Sequence, residues 1–189
     1  MLTLVSSNAD KAREVAEFFG GALEVTHVSL DIPELRSDDV IEISRQKARY
    51  AFDRLLSPII VDDTLFSIDA LKGFPGPYAA YVLHTIGNAG ILKIMKDIAD
   101  RNAHFTTAIG FADSGGIRVF SGTIHGKIVT ASRGSGGFGY DPIFEVEGRT
   151  LAEFPFEEKS RISHRALALT AFRDWFMQEY NSGTCDTNG

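Results

Sequence analysis

The sequence predicts an α/β fold built on a mixed β-sheet, and three stretches carry that prediction. Leu2–Ser6 is a short apolar run, after which the hydrophobic period changes from strand to helix, with Ala12, Val15, Ala16 and Phe19 on one helical face. A strand, a polar turn and a helix in succession are the opening of a layered α/β domain. Phe105–Asp113 and Ile117–Ala131 are long strand-like runs separated by Ser114-Gly115-Gly116, the composition of a hairpin turn, so the sheet is not purely parallel. Ile162, Ala166, Leu169, Phe172, Phe176 and Tyr180 recur at spacings of three and four, which predicts a final helix docked on the core.

The elements follow in order. Ser7 or Asn8 caps the first helix by accepting its free amide hydrogens, and Gly20-Gly21 stops it. Ala22–Leu30 reads as a second strand, extended through Pro33. Asp38 or Asp39 caps a helix with Ile41, Ala48, Phe52 and Leu55 on one stripe. Pro58 breaks that helix, and Ile59-Ile60-Val61 form a short buried strand that runs directly into Asp62-Asp63-Thr64. Gly73–Tyr78 is a turn-rich loop, Gly87–Ala99 a further helix, and Gly134–Gly139 a glycine-rich lead into Tyr140-Asp141-Pro142. No repeat or linker divides the chain. Residues 1–181 read as a single domain and 182–189 as a polar tail.

Among the 189 residues, 19 Lys and Arg face 25 Asp and Glu, a formal charge of −6. That sign argues against a general nucleic-acid binder, since a phosphate backbone selects a basic surface. It is compatible with a small anionic substrate, because a few local cations and a divalent metal override the global sign. The longest apolar runs, such as Ser57–Val61, fall far short of the ~20 residues of a membrane helix. Met1–Val5 lacks the basic start of a signal peptide, and the single Cys185 permits neither an internal disulfide nor a Cys-based zinc site. A cytoplasmic protein with no membrane partner is the expectation.

Several clusters are candidates for chemistry. Ser6, Ser7, Asn8 and Lys11 lie where a strand gives way to a helix, and the helix dipole there favours an anion; ordinary capping demands the same residue types. Asp62 and Asp63 follow a fully apolar strand, and adjacent acids at a strand end suit Mg²⁺ and the activation of a water, although Asp and Thr also form plain turns. Glu34 is a possible further ligand, and Lys47 falls in mid-helix. Phe138-Gly139-Tyr140-Asp141 offers two aromatics and an acid after a flexible approach, which suits a base-stacking platform or a turn packed by its own rings. Lys159, Ser163, His164 and Arg165 gather at the start of the last helix, a group suited to recognising an anion or a base.

Taken together, SSNADK (residues 6–11), IPEL (32–35), VDDT (61–64), GFPGPY (73–78), GGFGYDP (136–142) and EKSRISHR (158–165) resemble, in that order, the inosine triphosphate pyrophosphatase (HAM1-like) family. The resemblance spans Leu2 to Tyr180. It implies Mg²⁺-dependent hydrolysis of ITP, dITP and XTP to the monophosphate and pyrophosphate, by a homodimer of two-lobed subunits with the nucleotide between the lobes. By the same resemblance Ser6 to Lys11 cradle the triphosphate, joined by Lys47. Glu34 and Asp63 hold the metal, Asp63 is the proton acceptor, and Asp62 supports it. Thr64 contacts substrate, Phe138 to Asp141 form the base platform, and Lys159, His164 and Arg165 complete the base and phosphate contacts. Two positions depart from the family pattern. Ser6-Ser7-Asn8 replaces a common Thr-Gly-Asn, and Tyr140 stands where Trp is frequent.

The base selectivity implied has a physical rationale. Hypoxanthine and xanthine carry an oxygen at position 6, so fixed donors from His164, Arg165 or backbone amides would pair with it and mispair with adenine's amino group. Guanine, which shares that oxygen, must be rejected at its 2-amino group. Three other readings are weaker. The FGYDP and SHR segments oppose a Maf-like dTTP or UTP pyrophosphatase. The Asp62-Asp63 pair with Glu34 opposes a nucleotide sensor without catalysis, and the charge opposes an RNA-binding module.

Overall fold

β1 (Leu2–Val5) lies between two parallel neighbours, β2 (Val25–Val28) and β3 (Ile59–Ile68), which is why Leu2, Leu4 and Val5 are all buried. This computed structural model describes residues 2–33 and 37–180. Beyond β3 the sheet is antiparallel. β5 (Asn102–Asp113) pairs with β3 from Ile59↔Ala112 to Ile68↔Ala103, and β6 (Gly116–Ile128) returns along the whole of β5. The short β7 (Phe144–Val146) and β8 (Arg149–Thr150) complete the order β2-β1-β3-β5-β6-β7-β8, and β4 (Pro75–Gly76) pairs with the other side of β3. The mixed sheet and its long hairpin are as the sequence predicts.

Helix α1 (Ala9–Phe19) is capped by Asn8, whose side chain accepts from the amides of Asp10 and Lys11, and it ends at Gly20 in the left-handed conformation, φ 49°. Helix α2 (Val40–Leu55) is capped by Asp39. Its buried stripe is Val40, Ile43, Ala48 and Ala51, with Ser44, and Ile41 is exposed, so the face is rotated from the predicted one. Small residues let α2 lie close to the sheet. The segment after β4 forms α3 (Ala79–Thr85) and α4 (Gly87–Ile94); α3 was not predicted, and α4 stops short of Ala99. The predicted last helix is broken. α5 (Phe156–Ile162) ends at Ser163, whose backbone is extended (ψ 159°) and whose hydroxyl caps α6 (His164–Trp175) by accepting from the Ala166 amide, and a π-helical turn follows at Phe176–Tyr180. Ile162 is consequently exposed and not on the docking stripe. The predicted 182–189 tail lies outside the described residues.

The largest difference is at β3. Sequence predicts a three-residue strand stopping at the acids, yet β3 runs ten residues and the acids sit in its middle. The antiparallel ladder with β5 keeps Asp62 and Asp63 in strand geometry, opposite Ile109 and Ala108. On its other side β3 is paired with β1 only at Ile59–Val61 and with β4 only at Phe66 and Ser67. Residues 62–65 thus lie between the two pairings. That interruption falls beyond the carboxyl ends of β1 and β2, where open α/β sheets place their ligands.

Two glycines let helices meet the central hairpin. A Cβ on Gly110 of β5 would lie 2.7 Å from the Ser44 carbonyl oxygen in α2. A Cβ on Gly122 of β6 would lie 2.5 Å from the His164 carbonyl oxygen and 2.6 Å from the Ala168 nitrogen in α6. Gly122→Ala is expected to lower the unfolding free energy by about 1–3 kcal/mol, because rigid backbone must move. Urea titration checks this, and an unchanged midpoint would contradict the close approach.

Candidate active site

A cleft of about 440 Å³ opens at the interruption of β3. The turn from Ser6 to Lys11, Lys47 of α2 and Asp62–Leu65 of β3 all line it. In the turn, the Ser6 hydroxyl accepts from the Asn8 amide, and Ser7 and Asn8 are exposed. Asn8 Oδ1 already occupies the amides of Asp10 and Lys11, and the turn presents its hydroxyls, the Asn8 side-chain NH2 group and the Lys11 ammonium at the cleft. Thr64 is half-buried at the cleft wall.

The pleat of β3 separates the two acids, since successive side chains leave a strand on opposite faces. Asp62 points towards α1 and α6, where Arg165 Nε donates to its Oδ2 at 2.6 Å and Arg165 Nη2 to its Oδ1 at 3.2 Å. Lys11 Nζ lies 2.8 Å from the same Oδ1 and 2.9 Å from the Asp62 carbonyl oxygen. Both carboxylate oxygens are therefore engaged. Burial alone would raise this carboxyl, but Arg165 and Lys11 overcome it and hold Asp62 well below the usual carboxylate range. Asp63 points towards α2, where Lys47 Nζ donates to its Oδ1 at 2.6 Å. Its other oxygen, Oδ2, is buried and has no hydrogen-bond partner among the described residues.

The pairing around Asp62 continues inward. Arg165 also donates to Glu14 of α1; Glu14 accepts from Lys159 at 2.7 Å, and Lys159 donates to Asp141 at 2.6 Å. The Asp141 carboxylate also accepts from the Phe138 amide at 2.7 Å. Burial pushes the Asp141 carboxyl up from its ordinary value despite Lys159 beside it. Glu14 was not singled out in the sequence. The available signal was its position three residues after Lys11 and beside Val15 on a helix docked to the core.

His164 and Tyr140 are placed differently from one another. The His164 ring is buried, stacked on Phe105 with centroids 4.7 Å apart, and its Nδ1 lies 2.6 Å from the Thr107 hydroxyl. Burial, and then the Arg165 charge, hold its imidazole well below the ordinary value, so it is neutral. Tyr140, expected on the base platform, is a core residue. Its ring stacks on Phe66 with centroids 4.4 Å apart, and its hydroxyl donates to the Ala79 carbonyl at 2.7 Å. Packing thus claims the aromatic face that the platform reading needs. Phe138 is half-buried, with Lys159 Nζ 4.6 Å and the Arg165 guanidinium carbon 5.8 Å from its ring centroid. The Gly139 carbonyl accepts from Asn88.

Glu34 lies outside the described residues. Among the described residues no three His, Cys, Asp or Glu side chains gather as a metal cage. The unpartnered Asp63 Oδ2 is nonetheless a hard oxygen donor beside the cleft, which suits Mg²⁺.

Residues 2–175 match the model of the Ham1 family. A protein of Methanopyrus kandleri named dITP/XTP pyrophosphatase is 47% identical over 169 residues, covering 88% of this chain and 89% of that protein. Inosine triphosphate pyrophosphatase 1 of Trypanosoma cruzi is 44% identical, covering 93% of this chain and 91% of that protein. Among solved structures, a HAM1 protein from Coxiella burnetii superposes with a TM-score of 0.83 at 29% identity, covering 94% of this chain and 98% of that chain.

The pairing of Asp62 makes a stability prediction. Asp62→Asn leaves Arg165 and Lys11 short of a carboxylate in a buried setting, which is expected to cost about 3–5 kcal/mol. Because the folded value of Asp62 lies below 3.8, its contribution is complete above about pH 5 and is lost progressively as pH falls below 3.8 towards the folded value. Urea titrations across that range should show the wild type losing stability faster than Asp62→Asn; parallel curves would contradict the pairing.

Proposed function

The chain belongs to the Ham1 family, and on that footing we propose that it hydrolyses ITP, dITP and XTP to the nucleoside monophosphate and pyrophosphate. The observation that carries the catalytic assignment is the contrast between the two acids. Asp62 has no oxygen to spare, and Asp63 keeps Oδ2. Hydrolysis forms a bond from water oxygen to the α-phosphorus and breaks the α-phosphorus bond to the pyrophosphate oxygen, and the water gives up a proton. Asp63 is the acceptor assigned to that proton, and with Glu34, by resemblance, it is the ligand assigned to Mg²⁺. The cation supplies positive charge against the phosphates when bound.

The remaining residues bind and orient. Lys11 and Lys47 present their ammonium groups at the cleft, with side chains 18% and 23% exposed, and counter the triphosphate charge. Each stays tethered to an aspartate, so its position is set before substrate arrives. Ser6, Ser7 and Asn8 offer the surface on which the phosphates lie. Base recognition falls to Phe138 and the buried group of Lys159, His164 and Arg165. The homodimer, the cytoplasmic setting and the absence of a nucleic-acid partner remain part of this reading. No helix among the described residues is long and apolar enough to cross a membrane.

Pyrophosphate release from ITP, dITP, XTP, ATP, GTP, dTTP and UTP, with and without Mg²⁺, tests the proposal. Metal-dependent turnover is expected for the first three, with kcat/KM at least about 100-fold lower for the others. Turnover of dTTP or UTP instead would support a Maf-like specificity, and silence on all seven a sensor. Asp63→Asn should retain its fold, since its partner Lys47 is partly solvated, and lose at least about 100-fold in kcat. Unchanged turnover would remove Asp63 from the assignment.

A further inference from the structure

Behind the site a line of polar contacts crosses from β3 to β5 and ends on His164. Arg165 Nη2 donates to the Thr64 hydroxyl at 3.2 Å, Thr64 and Thr107 share a hydroxyl contact at 2.7 Å, and the Thr107 hydroxyl meets His164 Nδ1 at 2.6 Å. Thr64 and Thr107 stand directly opposite one another in the β3–β5 register, and Thr107 is fully buried. The distances alone leave the direction of the last two bonds open. The chemistry of the first favours one of them.

A guanidinium can only donate. Thr64 oxygen is therefore an acceptor towards Arg165, and that cation polarises its O–H into a stronger donor. The Thr64 proton then goes to Thr107, and the Thr107 proton, which meets no other acceptor among the described residues, goes to His164 Nδ1. In the reverse direction Nδ1–H would donate to Thr107 and Thr107 to Thr64, whose oxygen would then accept from both Arg165 and Thr107 while its proton turned to the cleft; the Arg165 cation opposes this, because it draws density from the oxygen that would have to accept twice. The imidazole is neutral, so a lone pair on Nδ1 puts its one proton on Nε2.

We propose that Thr107 is a positioning residue that, through the Arg165–Thr64–Thr107 line, locks His164 in the tautomer with Nε2 protonated, making that nitrogen a donor and never an acceptor. The consequence for substrate rests on the reading in which His164 faces the purine. A permanent donor pairs with a 6-oxo group and opposes a 6-amino group. Without Thr107 the ring can exchange tautomers and present a lone pair to adenine, so selectivity, rather than the chemical step, depends on a buried threonine outside the cleft.

The tautomer is measured in the wild-type protein by histidine-selective ¹⁵N–¹H correlation at neutral pH, with the His164 signals assigned by their loss in His164→Gln. Nδ1 is expected at the shift of a lone-pair nitrogen and Nε2 at that of a protonated one. A protonated Nδ1, or averaged shifts from mixed tautomers, would overturn the proposal whatever the substrate proves to be. Thr107→Val should broaden or average these signals and reduce the ITP-over-ATP ratio of kcat/KM about tenfold, and Thr107→Ser should restore both. A Thr107→Val protein with the wild-type tautomer pattern would overturn the line of bonds. A wild-type tautomer as expected, with no turnover of ITP, would uphold the lock and reject only the substrate reading.

Discussion

Lys11, Asp62, Arg165, Glu14, Lys159 and Asp141 form one line of groups alternating in sign, three basic and three acidic, drawn from α1, β3, α6, α5 and the turn after Phe138. Five of them, Asp62, Arg165, Glu14, Lys159 and Asp141, have side chains no more than 5% exposed. Taking such groups out of water is costly, and the line persists because each inner member has a partner on either side, while at the ends Lys11 donates to the Asp62 carbonyl and Asp141 accepts from the Phe138 amide. Its value lies less in net stability than in what it fixes. It ties the helix after the anion turn to the helix that carries His164, and it reaches the Phe138 amide at its far end.

Consequences for the site follow from that line together with the pleat of β3. Two adjacent acids would repel if they shared one environment. Strand alternation sends them to opposite faces, and the line consumes Asp62 entirely. Among the described residues Asp63 meets a single lysine and retains one oxygen. The interruption between β1 and β4 along β3 then opens the cleft beside that oxygen. Close helix approach at Gly110 and Gly122 holds the two supporting helices against the hairpin from either side. The Thr64–Thr107 contact belongs to the same design, because it extends the reach of Arg165 across the sheet to His164.

Much of this was legible in the residues. The opening strand and helix, the hairpin around Ser114–Gly116 and the clustering of Lys159, His164 and Arg165 follow from periodicity and local chemistry. What was hidden depends on tertiary pairing. The length of β3 is dictated by its ladder with β5, a partner about 45 residues distant that local pattern cannot announce. Glu14 looked like one more helical acid, since its partners come from α5 and α6. Tyr140 resembled a platform residue until Phe66 and Ala79 claimed its ring and hydroxyl. Ser163 divides the last helix because it caps α6, a choice that the apolar spacing around it obscured.

Charge balance along the buried line is the claim on which the account rests, and a double-mutant cycle on Glu14 and Lys159 addresses it most directly. Each single variant, Glu14→Gln or Lys159→Met, leaves an unbalanced charge in the interior, whereas the double variant removes one of each sign. The double variant is expected to be more stable than the sum of the single losses by at least about 1 kcal/mol. Losses that add within about 0.5 kcal/mol would show that the groups act independently, and would contradict a line whose members are held by one another.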